Sequence, residues 1–334
     1  MGETLKKESV ALIGKFDSIA KARLLSRLSD DFNIREITCE EFYDKLKDVQ
    51  YIILRTLKID ANTIKKNPQL KLIQRWGVGY DTVDIRTAGE YGIQVAITYG
   101  VNSIPVAEYT VLLMLSVLRN IIQVYDNVKN GLWQDTALFE RSYLINKKKV
   151  GLVGLGAIGK NVAKILGSMG SEIYYYDSYR LPEDVEKELN VKYLPFEDLA
   201  KEVDILSLHV PLNQQTKYMV NKKVIDTMKS TAIIINTSRG GIINEEDLYY
   251  ALKDKRILGA GLDVFEKEPI SRDNHFLQLK NVVVSAHSAG NTIDNSINMA
   301  NICADNIFKV KNNEPLSPSD LVNSQFISNK NDNQ

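Results

Sequence analysis

The chain has 334 residues, 42 Lys+Arg against 42 Asp+Glu, and two cysteines. That length suggests two domains with sizeable cores. The zero formal charge argues against a nucleic acid or polyanion held by bulk charge. Cys39 and Cys303 show neither a disulfide framework nor metal-ligand spacing, a usage that suits a reducing compartment. The amino terminus, MGETLKKESV, lacks the apolar core of a signal peptide, and Lys6 stands where a myristoylation signal needs Ser or Thr. The most apolar helical stretch, residues 109–118, is too short to span a bilayer. A soluble, cytoplasmic protein is expected, with no membrane, nucleic-acid or metal partner.

From the amino end, apolar and β-branched runs predict strands at 10–13, 32–37, 51–54, 70–74 and 93–96. They alternate with helical spacing at 19–28, 40–46, 61–66 and from about 83. Such alternation predicts a parallel α/β domain. Asn102 or Ser103 can cap a long helix with Pro105 in its first turn, running to about residue 130. It is apolar on more than one face, which suits burial between domains, packing on a partner subunit, or both. Later strands are expected at 191–194, 203–210, 232–236, 257–264 and 281–284, with helices from 196, at 221–228, at 244–252 and at 292–310. Residues 311–334, rich in Asn, Ser and Lys, read as a mobile tail.

The middle of this order holds VGLVGLGAIGKNVAKILGSMGSEIYYYD, residues 150–177. An apolar strand leads into Gly154, Gly156 and Gly159, a helix follows, and a second strand ends in Asp177, 18 residues after Gly159. This is the context a dinucleotide fingerprint requires. Gly154 permits the tight turn, Gly156 lets a pyrophosphate approach the backbone, and Gly159 permits close packing of the helix. The helix amino terminus faces the phosphates, and Asp177 accepts hydrogen bonds from the adenosine ribose.

In doubly wound proteins, ligands lie beyond the carboxyl ends of the parallel strands. Three such loops carry chemistry here: Arg239 after AIIIN, Asp263, Glu266 and Glu268 after LGAGLDV, and His287 after NVVVSA. A guanidinium can hold a carboxylate in a fork. An imidazole can exchange the proton of a hydroxyl, and a carboxylate can orient that imidazole. Of the other histidines, His209 reads as structure beside the cofactor and His275 as a loop residue.

GLVGLGAIG, LHVPL, NTSRGGIINEEDL, GLDVFEKEP and SAHSAGNT, in this order, resemble the signatures of the D-isomer-specific 2-hydroxyacid dehydrogenases. The likeness runs from about residue 51 to 306. It implies two doubly wound parallel-sheet α/β domains. A Rossmann dinucleotide-binding domain, residues 102–289, is inserted into a flavodoxin-like substrate domain, residues 1–101 and 290–334, with the active site in the cleft. It implies hydride transfer between NAD(H) and a D-2-hydroxy acid or its 2-oxo acid, in a homodimer. Arg239, Glu268 and His287 match the catalytic residues. Ala286 stands where the family usually has Pro. Ala157, Ile158, His209, Val210, Pro211, Thr237, Asp263 and Gly290 join the three fingerprint glycines and Asp177 as cofactor residues. Trp76, Val78 and Gly79 lie in a loop resembling the one that receives the substrate carboxylate. Arg55 resembles a residue facing the far end of the substrate.

Asp177 favours NAD over NADP, with Arg180 nearby as the counter-argument. Phosphoglycerate dehydrogenases of this family tend to carry a second arginine two positions after the equivalent of Arg55, where this chain has Leu57. The expected chain end shortly after the last helix also leaves out an added regulatory domain. A small unphosphorylated 2-oxo acid is therefore expected. The alternatives are a D-3-phosphoglycerate dehydrogenase and an NAD-sensing binding protein like the family's corepressors.

Overall fold

A computed structural model describes residues 7–327. The start of MGETLKKESV, with Lys6, and the last seven residues of the expected tail lie outside the described residues. The chain divides into two compact units, residues 1–102 with 291–334 and residues 103–290.

Unit 1 is built on five short apolar strands, β1 (Ser9–Ile13), β2 (Asn33–Ile37), β3 (Tyr51–Leu54), β4 (Leu72–Arg75) and β5 (Gln94–Ala96). All pair in parallel in the order β2-β1-β3-β4-β5, the flavodoxin-like winding. Val10, Leu12, Tyr51, Ile53 and Leu72 are buried on one face with the helix Ile293–Lys311, while Ala11, Ile13, Ile52, Leu54 and Ile73 are buried on the other. Burial on both faces explains why these strands read as continuous apolar runs rather than alternating ones.

The expected mobile tail is corrected for its described part. Ile97 N–H donates to Asp320 O at 2.9 Å, and Val322 N–H donates to Val95 O at 3.0 Å, so the chain returns along the edge of β5. Asn323 is fully buried; its Oδ1 accepts from Val95 N–H at 2.9 Å and its Nδ2 donates to Ile93 O at 2.9 Å. A polar composition suggested a solvated segment, but here the polar groups satisfy an open sheet edge.

Unit 2 has seven parallel strands: β6 (Lys149–Val153), β7 (Glu172–Tyr176), β8 (Val191–Tyr193), β9 (Ile205–Leu208), β10 (Ile233–Asn236), β11 (Gly259–Leu262) and β12 (Val282–Val284). Their order is β12-β11-β10-β9-β6-β7-β8. The winding reverses between β6 and β9, which places a topological switch point at the end of β6.

The long helix expected from residue 103 to about 130 is two helices, Ser103–Leu118 and Ile121–Lys129, bent by 61°. Asn120 takes the left-handed conformation between them, with φ of 51°, a conformation Asn tolerates better than most residues. Its Nδ2 donates to Arg141 O at 3.2 Å and Ser142 Oγ at 3.1 Å, which anchors the bend. The first helix buries Ala107, Val111, Met114 and Val117 in the sheet core, whereas the second buries no residue. Among the described residues no single helix is long and apolar enough to cross a membrane; only this bent pair passes such a test by length and composition.

Candidate active site

At the switch point, the three fingerprint glycines do different things. Gly154 has φ of 97°, and a Cβ there would lie 2.8 Å from His209 O. A Cβ on Gly159 would lie 2.3 Å from Gly154 O, so this glycine makes room for the turn itself. A Cβ on Gly156 would meet nothing within 4 Å. Gly156 is also the cap of the helix Ala157–Ser168 and supplies no side-chain acceptor to the first-turn N–H groups. The result is an open approach to a helix amino terminus, which suits a phosphate.

Asp177 closes this turn from β7. Its Oδ2 accepts from Leu155 N–H at 2.8 Å, while Oδ1 has only long contacts, 3.3 Å from Ser178 Oγ and 3.5 Å from Tyr179 N. One oxygen holds the loop and the other remains available to a ribose hydroxyl.

His209, after β9, lies 2.9 Å through Nε2 from Ser207 Oγ. Burial pushes its pKa down to about 4, so the ring is neutral near pH 7. The adjoining Val210 is half-buried and Pro211 exposed. Thr237 is turned into the core, its hydroxyl 2.8 Å from Thr110 Oγ1, which itself donates to Val106 O at 2.7 Å.

The reacting groups expected from the sequence come together after β10, β11 and β12. Glu268 Oε2 lies 2.8 Å from His287 Nδ1, and Oε1 accepts from Phe265 N–H at 3.0 Å. Burial pushes the Glu268 carboxyl up, but the hydrogen bonds from His287 and Phe265 and the charges of His287 and Arg239 hold it below the usual range. Among the described residues the other imidazole nitrogen, Nε2, has no hydrogen-bond partner, and the His287 side chain is 51% exposed. His287 itself has φ of 49°, a conformation rare outside glycine.

That conformation is held from behind by Asp263, which is fully buried. Asp263 O accepts from His287 N–H at 2.8 Å. Its carboxylate accepts from Ser285 Oγ at 2.6 Å, Ser288 N–H at 2.8 Å and Ala289 N–H at 2.9 Å. Expected beside the cofactor, Asp263 instead spends its visible hydrogen bonds anchoring the histidine loop that ends at Gly290.

Arg239 lies in a loop shaped by Asn236. Asn236 Nδ2 donates to Arg239 O at 2.9 Å, and its Oδ1 accepts from Ser238 Oγ at 2.8 Å. The next residue, Gly240, sits directly on the Glu268 loop: a Cβ there would be 2.0 Å from Phe265 C and O. The loops that carry Arg239 and Glu268 are thereby locked in contact.

In unit 1, Trp76, Gly77, Val78 and Gly79 form the half-buried loop after β4, and Gly77 has φ of 117°. Trp76 packs edge-on against Phe16, ring centres 5.1 Å apart. Arg75, at the end of β4, organises this loop. It is 8% exposed, and it donates from Nε to Gly79 O at 2.6 Å and from one Nη to Leu54 O at 2.9 Å and Arg55 O at 3.1 Å. A charged residue closing an apolar strand is the signal that marks it. Arg55, expected toward the substrate, donates instead to Lys15 O at 2.6 Å and stands 4.0 Å from Asp17.

The winding and the glycine turn at its switch point are those of a doubly wound dinucleotide-binding domain. Residues 111–289 match the model of the D-isomer specific 2-hydroxyacid dehydrogenase, NAD binding domain. A glyoxylate reductase of Korarchaeum cryptofilum is 38% identical over 287 residues, covering 85% of this chain and 86% of its own. A D-3-phosphoglycerate dehydrogenase of Methanocaldococcus jannaschii is 39% identical over 280 residues, 83% of this chain but 53% of its own. The NAD-dependent formate dehydrogenase of Staphylococcus aureus, solved with NAD, superimposes with a TM-score of 0.84 at 25% identity, covering 94% of this chain and 98% of that one. The chain belongs to the D-isomer specific 2-hydroxyacid dehydrogenase family. It is an NAD-dependent oxidoreductase of that family, and the open approach at Gly156 fits the cofactor's pyrophosphate.

Proposed function

We propose that the protein interconverts a small 2-oxo acid, such as glyoxylate, hydroxypyruvate or pyruvate, and its D-2-hydroxy acid, with Arg239, Glu268 and His287 as the reacting residues. The observation that carries this is the 2.8 Å contact between Glu268 and His287 beside the Arg239 loop. When bound, NAD(H) supplies or accepts the hydride. Arg239 holds the substrate carboxylate, with the Val78 and Gly79 N–H groups as further donors. His287 gives the proton to the forming hydroxyl through Nε2 in reduction and takes it in oxidation. Glu268 fixes the ring and stabilises the imidazolium.

Gly154, Gly156, Ala157, Ile158 and Gly159 are read as the pyrophosphate turn and Asp177 as the ribose acceptor. His209, Val210, Pro211 and Gly290 border the remainder of the cofactor, which Thr237 and Asp263 support through their own hydrogen bonds.

The preference for an unphosphorylated substrate rests on unit 1. Arg55 is engaged by Lys15 O and Asp17, and Leu57 offers no second guanidinium for a dianion. Two further readings belong here. The exposed apolar side chains of the segment after residue 103 support a homodimer, and the unpaired Cys39 and Cys303 suit the cytoplasm.

The test is NADH oxidation with glyoxylate, hydroxypyruvate, pyruvate and 3-phosphohydroxypyruvate. A roughly tenfold higher kcat/KM for the phosphorylated acid, worth about 1.4 kcal/mol in the transition state, would overturn the substrate class. Tight NADH binding with no turnover on any of them would favour an NAD-sensing binding protein.

A further inference from the structure

Asp177 and Arg180 make opposite demands on a cofactor. A carboxylate at the end of the second strand favours the free ribose of NAD, whereas a nearby arginine accommodates the 2′-phosphate of NADP. Arg180 stands three residues beyond Asp177. In the structure its guanidinium is already committed. Nε donates to Glu186 Oε1 at 2.9 Å and a terminal nitrogen donates to Glu186 Oε2 at 3.0 Å, a two-pronged pair. The group also lies over the Tyr193 ring, 5.4 Å from its centre.

Glu186 is itself fixed. It lies on the helix Glu183–Leu189, its side chain is 11% exposed, and Oε1 accepts from Tyr175 Oη at 2.7 Å. Tyr175 is fully buried in β7, and its hydroxyl accepts from Leu181 N–H at 2.9 Å. Arg180 would have to abandon a two-pronged carboxylate that is held in place and only 11% exposed in order to reach a phosphate.

We infer that Glu186 is a specificity-determining residue: by holding Arg180 away, it keeps the adenosine end of the site selective for NAD against NADP. This rests on the reading of Asp177 as the ribose acceptor. The pair remains ionised at neutral pH, since Arg180 and the Tyr175 hydroxyl hold the Glu186 carboxyl down at about 2.

The experiment measures dissociation constants for NADH, NADPH and adenosine 2′,5′-bisphosphate by fluorescence and calorimetry. It uses the full chain and its Glu186→Gln, Arg180→Leu and doubly substituted variants. Glu186→Gln should lower the NADPH-to-NADH ratio of dissociation constants about tenfold and tighten the bisphosphate similarly, with NADH unchanged. The double variant should lose that gain, and Arg180→Leu alone should leave the ratio within about twofold. An unchanged ratio in Glu186→Gln with NADH still bound would overturn the inference. So would a raised ratio in Arg180→Leu alone, because Arg180 would then already serve the phosphate. That second variant decides the matter even if Glu186→Gln does not fold. Failure of the original chain to bind NADH would instead strike the cofactor reading itself.

Discussion

Glu268 joins two things with its two carboxylate oxygens: one is 2.8 Å from His287 Nδ1 and the other accepts from Phe265 N–H at 3.0 Å. The imidazole is therefore oriented by a carboxylate that is itself oriented by its own loop. His287→Gln should lower turnover by about 10²-fold or more while NADH binding survives. Glu268→Gln should lower kcat with NADH affinity nearly unchanged, because the imidazole loses the carboxylate that orients it. The carboxylate's contribution also depends on pH. The Glu268 carboxyl is held below its ordinary 4.5, so its contribution is complete above that value and is lost as pH falls further. Steady-state kinetics on each variant and urea unfolding of the original chain across acid pH check all three statements; an unchanged kcat in Glu268→Gln would count against the contact.

Asp263→Ala should damage both stability and rate. It leaves the Ser288 and Ala289 N–H groups without their buried acceptor, at a cost of about 1–3 kcal/mol for each orphaned group. The His287 loop loses its anchor, so kcat should fall more than NADH affinity. Urea unfolding and steady-state kinetics on the same variant would show it.

Gly156→Ala and Gly240→Ala should behave oppositely. A methyl group at 156 meets nothing within 4 Å, so the melting temperature should stay within about 2 °C, a shift of well under 1 kcal/mol, while NADH binds more weakly. At 240 the methyl would be 2.0 Å from the Phe265 carbonyl. The two loops must separate, at a cost of about 3 kcal/mol or more. Equal melting temperatures for the two variants would contradict this.

The half-buried His209 should make the protein less stable at mildly acid pH. Its pKa falls from 6.5 to about 4 on folding, so between these values the unfolded chain binds a proton that the folded chain does not. Stability then falls as pH drops through that window. The residue retains part of its surface, so the loss between pH 7 and 5 should be no more than roughly 2 kcal/mol. His209→Gln should flatten the dependence, measured by urea unfolding at both pH values.

A dimer is expected from the apolar surface that unit 2 leaves uncovered. Ile104 is 60% exposed, Tyr125 64%, Trp133 80%, Phe139 63% and Leu144 67%, large apolar side chains of the kind a partner surface covers. Sedimentation at micromolar concentration should give twice the mass of the chain; a monomer would contradict the reading.

The class of this protein could be read from residues close together in the chain. A strand, three glycines, a helix and an acid are a local pattern with a local cause, the approach of a phosphate to a backbone without Cβ atoms. Arg239 and His287 were visible because each follows an apolar strand, and parallel strands deliver their loops to one edge; Glu268 stands in a charged run, and only the family resemblance singled it out. The bend at Asn120 was not visible, since it depends on Arg141 O and Ser142 Oγ some twenty residues away. Neither was the sheet-edge role of Asn323, whose partners lie near residue 94. Arg55 and Arg180 make the point about charge. In the sequence each is a guanidinium ready for a phosphate; in the fold Lys15 O and Asp17 occupy one, and Glu186 occupies the other. Residue type determines what a charge can bind, but only tertiary neighbours decide what it is already holding, because a partner within 3 Å outcompetes one that must first displace it.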